Sequence, residues 1–79
     1  RHSIISPGVK IATKALVQDS ILLEGAEINQ GARLRRVIVD KFAKIPENFE
    51  IGYDRKKDAK NFMISEEGIR VVPKNWRQE

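Results

Sequence analysis

The chain has no cysteine and a single histidine, His2, among its 79 residues. Without thiols no disulfide framework supports the fold, and a reducing cytoplasmic setting is the default expectation. One imidazole and no thiolate cannot assemble the usual zinc ligand sets. Ser3 follows His2 on the same extended segment and points to the opposite face, which argues against a nucleophile–base pair. Aromatics are sparse, with three Phe, one Tyr and one Trp, so the stacking platforms that grip single-stranded nucleic acid are lacking. No apolar run approaches the roughly 20 residues of a bilayer span, and no secretory leader pattern stands at the start. Gly8, Gly25, Gly31 and Gly52 build neither G-x-x-x-x-G-K-[ST] nor G-x-G-x-x-G, the two phosphate-cradling loops. From these absences the chain is expected to carry no catalytic residue, metal or cofactor of its own, and to meet neither nucleic acid nor membrane.

What is present is a period. Ile5, Leu22 and Val39 stand 17 residues apart, as do Ile11, Ile28 and Ile45, and Val17, Leu34 and Ile51. Hexapeptide steps at a fixed spacing are the sequence mark of a parallel β-helix. Each step opens on an aliphatic residue and carries a small or apolar one four places on, giving the files Val9, Ala26, Ala43 and Ala15, Ala32, Phe49. Side chains alternate faces along a strand, so these files predict two inward residues per side of a three-sided prism. The corners require residues that tolerate positive φ, and Gly8, Gly25, Gly31 and Asn48 stand where corners must fall. The prediction is a mainly β domain: about three hexapeptide-repeat coils over residues 1–52, beginning mid-turn because RHSI (1–4) matches QDSI (18–21). Arg1 is accordingly expected to be a cut into a longer chain.

Formal net charge is +4, but the signs interleave, with Lys10, Glu27 and Lys44 in one outward file. Such cross-rung pairs stabilise neighbouring strands and describe a solvated surface. The exceptions are Arg33, Arg35 and Arg36 with Lys41 and Lys44, and the run Arg55-Lys56-Lys57, which together suggest an anion site. After Ile51 the period stops. Asp54 is expected to cap a short helix through Lys60, with Asp58 and the basic residues exposed and Ala59 or Phe62 turned inward. Residues 62–65 and 68–72 flank Glu66-Glu67-Gly68 and read as strand, turn, strand. Residues 53–79 are thus expected to close the last coil as a cap, with Trp76 either packed on it, the commoner case, or exposed as a contact for another domain. Glu47, Glu50 and Asp54 read as solvated carboxylates.

The blocks LRRVIVDKFAKIPENFEIGYD (34–54), DAKNF (58–62) and SEEGIRVVPK (65–74), with SPGV (6–9) and DSILLEGAEI (19–28), resemble the C-terminal domain of bacterial glucose-1-phosphate adenylyltransferase, also called ADP-glucose pyrophosphorylase. The resemblance covers nearly the whole chain. It implies a left-handed β-helix, against the usual right-handed crossover, attached to an N-terminal nucleotide-binding domain absent from this chain. That domain would join ATP and glucose 1-phosphate to give ADP-glucose and pyrophosphate, with magnesium, toward glycogen. It further implies assembly into a homotetramer and a pocket for a phosphorylated-metabolite or adenine-nucleotide effector. Lys41, in the family's VD(K/R) motif, and Lys74, after the last tail strand, match its basic effector contacts; Arg77 lies near a further one without aligning cleanly. Two other readings keep the same β-helix: a hexapeptide acyltransferase, which needs a catalytic histidine beside a coil, and a purely structural oligomerisation module.

Overall fold

The computed structural model describes residues 2–79. Eleven short strands and one helix follow in the order β1 (Ile4–Ile5), β2 (Lys10–Ile11), β3 (Leu16–Gln18), β4 (Ile21–Leu22), β5 (Glu27–Ile28), β6 (Arg33–Arg35), β7 (Val37–Val39), β8 (Lys44–Ile45), β9 (Glu50–Ile51), α1 (Arg55–Ala59), β10 (Met63–Ile64) and β11 (Arg70–Val72). The molecule is mainly β, and its strands form three sheets ordered β1-β4-β7-β11-β10, β2-β5-β8 and β3-β6-β9, called A, B and C below. Every pairing in B and C is parallel, and so is every pairing in A except β10 on β11. Register follows the sequence period: Ile11 lies beside Ile28 and Ile28 beside Ile45, Val17 beside Leu34 and Leu34 beside Ile51, Leu22 beside Val39. The chain therefore visits the three sheets in turn and climbs one strand per repeat, as a parallel β-helix requires.

The inward files form the core. Leu22, Ala26, Ala32, Leu34, Val39, Ala43, Ile45 and Ile51 are fully buried, and Ile28 nearly so. Ile5 and Ile11 occupy the same files yet remain half exposed, because no described strand lies over them. At the corners Gly8, Gly25, Gly31 and Asn48 have positive φ as expected. The third corner uses Asp19 and Arg36, and Lys14 and Phe42 sit at the other two, all with φ between 49° and 65°. Of these last four only Asp19 is a residue type that takes a left-handed backbone readily. The ladders on either side hold them there, which is how strained single residues persist.

The tail does more than close the stack. β11 adds to sheet A parallel to β7, setting Val72 beside Val39, and the next residues repeat the corner beneath them: Asp40 N donates to Val72 O at 2.9 Å and Lys44 N to Trp76 O at 2.9 Å. β10 folds back antiparallel on β11, so the strand–turn–strand reading holds. Trp76 packs on Phe49 and Phe62, with ring centroids 5.7 and 5.0 Å away, sealing the end of the core.

Asp54 caps α1, its carboxylate accepting from Lys57 N at 3.1 Å, and Phe62 turns inward while Ala59 stays exposed. The expectation for Asp58 is corrected: it is 2% exposed, not solvated. Its Oδ2 accepts from Gly52 N at 2.9 Å and from Arg70 Nε at 2.8 Å. Arg70 and Val72 share the inward face of β11. An inward arginine needs an anion beside it, and the helix delivers one.

Candidate functional site

Lys41 and Lys74 lie 33 residues apart in sequence, a spacing outside the repeat, yet the structure brings them to one corner. Val39 pairs with Val72, and Asn75 N donates to Lys41 O at 2.9 Å, just as Phe42 N donates to Glu24 O at 3.0 Å one rung earlier. Val72-Pro73-Lys74-Asn75-Trp76 thus repeats Val39-Asp40-Lys41-Phe42-Ala43, and Asn75 takes the positive φ (63°) that Phe42 takes (60°). Adjacent strands are about 4.8 Å apart, so the two lysines leave neighbouring rungs side by side. Both are exposed, and neither has a carboxylate within ion-pair distance among the described residues. Asp40 turns its carboxylate back onto its own turn, accepting from Lys41 N at 2.7 Å. Two ammonium groups side by side repel each other, and a multiply charged anion such as a phosphate relieves that repulsion through charge-assisted hydrogen bonds. Each offers a point charge and no bidentate fork.

The other basic residues singled out in the sequence go elsewhere. Arg33 and Arg35 lie on sheet C with their guanidinium carbons 4.7 and 4.5 Å from the centre of the Tyr53 ring. Arg33 bonds Glu50 at 2.8 Å, and Arg35 donates twice to Gly52 O. Arg36 stands at the start of β7, opposite the end that leads to Lys41, and donates to the Glu67 carbonyl. Arg55, Lys56 and Lys57 are exposed on α1. Arg77 borders a polar hollow with Phe49, Asn61 and Trp76. Lys44 alone stays near the lysine corner, as the first residue of β8.

The Arg33–Glu50 pair has side chains nearly half exposed, so Glu50→Ala is expected to cost less than about 1 kcal/mol in urea unfolding. A larger loss would mean that the Tyr53 stack depends on this carboxylate. His2 and Asp19 are 3.9 Å apart and exposed. Among the described residues no cluster of three or more His, Cys, Asp or Glu is placed to hold a metal ion, and no helix is long and apolar enough to cross a membrane. What sequence reading missed is the equivalence of the two lysine corners; the signal was V-P-K-N-W against V-D-K-F-A, hidden by the break in period.

Residues 1–72 match the family model described as GlmU-like, C-terminal hexapeptide. Among similar proteins, the glucose-1-phosphate adenylyltransferase of Anaeromyxobacter sp. (strain Fw109-5) is 49% identical over 78 residues, covering 99% of this chain and 19% of that relative. Glucose-1-phosphate adenylyltransferase 2 of Vibrio cholerae is 46% identical over 77 residues, covering 98% of the chain and 19% of the relative. The glucose-1-phosphate adenylyltransferase of Bifidobacterium longum (strain DJO10A) is 43% identical over 75 residues, 94% of the chain and 18% of the relative. The chain spans about a fifth of the length of these relatives.

Proposed function

The chain belongs to the GlmU-like C-terminal hexapeptide family, and we propose that it is the assembly and regulatory part of a glucose-1-phosphate adenylyltransferase. In this reading residues 1–52 are about three coils of a left-handed β-helix and 53–79 are their cap. The chemistry, adenylyl transfer from ATP to glucose 1-phosphate with magnesium, belongs to an N-terminal domain of the same polypeptide, and the parent is a cytoplasmic homotetramer. Lys41 and Lys74 bind a phosphate-bearing effector, either a phosphorylated metabolite or an adenine nucleotide. The observation that carries the regulatory part is the shared corner, where Asn75 N bonds Lys41 O and two exposed lysines project from adjacent rungs.

The test uses the full-length enzyme. Lys41→Ala and Lys74→Ala are each expected to raise the effector concentration for half-response by about tenfold, the loss of one charge-assisted contact of 1.4 kcal/mol or more. Turnover without effector should stay within about twofold, since allostery couples distinct sites. Unchanged effector response in both variants would reduce the corner to solvated charge. A full-length chain without adenylyl transfer to glucose 1-phosphate would remove the enzyme assignment.

A further inference from the structure

Sheet A presents a face unlike the other two. Its outward side chains run in register across all five strands: Ile4 beside Ile21, Ile21 beside Ile38, Ile38 beside Val71, and Val71 beside Met63. Ile4 is 64% and Met63 76% exposed, and the three between them are only half-buried. A hollow of about 200 Å³ among Ile21, Ile38 and Ile69 has Asp19 and Arg36 at its border. The matching outward files are Lys10, Glu27, Lys44 on sheet B and Leu16, Arg33, Glu50 on sheet C. Five strands about 4.8 Å apart make the apolar stripe roughly 20 Å long, and apolar patches of that scale mark contact surfaces.

The rims of the stripe say what fits it. Along one edge Asp19 precedes β4 and Arg36 precedes β7; along the other Glu24 follows β4 and Lys41 follows β7. Both edges run from acid to base in the same direction along the stack. We propose that this face is a self-association surface, on which a second copy of the chain packs face to face about a two-fold axis lying along the strands between β4 and β7. That operation sets β4 of each copy against β7 of the other, so Ile21 meets Ile38 and Ile4 meets Val71. It also brings Asp19 opposite Arg36 and Glu24 opposite Lys41, each twice. A two-fold axis along the stack would instead oppose Asp19 to Glu24 and Arg36 to Lys41, like against like, so the rims select the first arrangement. The surface is isologous, as closed dimers require. A stripe this narrow is well below the roughly 800 Å² per partner of stable complexes, so the dimer is weak and reversible. The inference rests on the assembly part of that reading, to which it gives a surface, and it needs no effector.

The test is sedimentation velocity on the 79-residue chain over a wide concentration range, without any phosphorylated ligand. The expected result is a mass rising with concentration from one chain toward two. Ile38→Asp, and Ile4→Asp as a variant on a more exposed position that meets Val71, should each weaken association at least about tenfold while the far-ultraviolet spectrum stays that of the parent chain. Glu24→Lys and Lys41→Glu should each weaken it about tenfold, and the double variant should return it to within about threefold, because the swapped charges again face one another. Ile11→Lys, at the open end of the stack and off this face, should leave association unchanged. A chain monomeric throughout, association lost through Ile11→Lys and kept in Ile38→Asp, or a double variant no better than its singles would overturn the proposal.

Discussion

Asp58→Ala is expected to remove about 3–5 kcal/mol of stability, the cost of breaking a buried ion pair from one side. The carboxylate joins three segments that nothing local connects: it lies on α1, accepts from Gly52 N at 2.9 Å where the coil ends, and accepts from Arg70 Nε at 2.8 Å on β11. Side-chain exposure is 3% for Asp58 and 10% for Arg70, so water does not replace what the alanine removes. Among the described residues the Arg70 guanidinium would keep the Gly68 carbonyl, at 2.7 Å, and the Gly52 amide would lose its acceptor. A chain of this length has on the order of 4–12 kcal/mol in total, so either the whole molecule unfolds or the cap leaves first. Urea unfolding measures the loss, and amide exchange at Val71 and Val72 distinguishes the two outcomes. Asp58→Leu with Arg70→Met should recover much of the stability, since an apolar pair carries no uncompensated charge. A loss below 1 kcal/mol for Asp58→Ala would mean that the cap is held by its ladder and by Trp76 alone.

Ala32→Asp should unfold the chain at neutral pH. Ala32 is fully buried in the file Ala15, Ala32, Phe49, and the Phe49 ring above it already touches Phe62 and Trp76. Folding must either bury an unpaired carboxylate or keep it protonated. At pH 7 protonating a group whose ordinary value is near 3.9 costs about 4 kcal/mol, and overpacking adds about 1–3 kcal/mol. The pH dependence has a definite sign. Burial disfavours the charged form and raises the carboxyl's folded pKa above its unfolded value, so the unfolded state releases the proton first. Stability relative to the parent chain therefore falls as pH rises above about 4 and recovers below it. Thermal unfolding of Ala32→Asp and Ala32→Asn from pH 4 to 7 isolates the effect, because the amide carries the steric cost without the titration. A difference between them that does not grow with pH would show that the carboxylate has found a partner or reached water.

Much of the fold is legible in the amino-acid sequence. The 17-residue interval placed Ile11, Ile28 and Ile45 on one another, and the pairing of β2, β5 and β8 puts them there. Repetition makes such contacts readable: one step seen three times states its own register, and inward files alternate with polar residues wherever a strand has one wet face. The corner glycines were readable for a similar reason, since few residues accept positive φ without help. Arg36, Lys14 and Phe42 adopt it only under the constraint of the ladders beside them.

Sequence alone thus determined the stacked parallel strands, the inward aliphatic files, the short capped helix and the family resemblance. Tertiary structure alone decided where the unrepeated parts go. Asp58 and Arg70 look solvent-facing in sequence because charge ordinarily stays in water, and each is buried only because the other is there. Lys41 and Lys74 become neighbours because β11 adds to sheet A parallel to β7 and renews its corner. Arg33, Arg35 and Arg36 look like one cluster, but alternation along β6 keeps only Arg33 and Arg35 on one face, both over the Tyr53 ring, and the turn into β7 sends Arg36 to the Glu67 carbonyl. A periodic chain states its ladders through repetition, whereas a contact made once depends on the three-dimensional path of everything between its two ends.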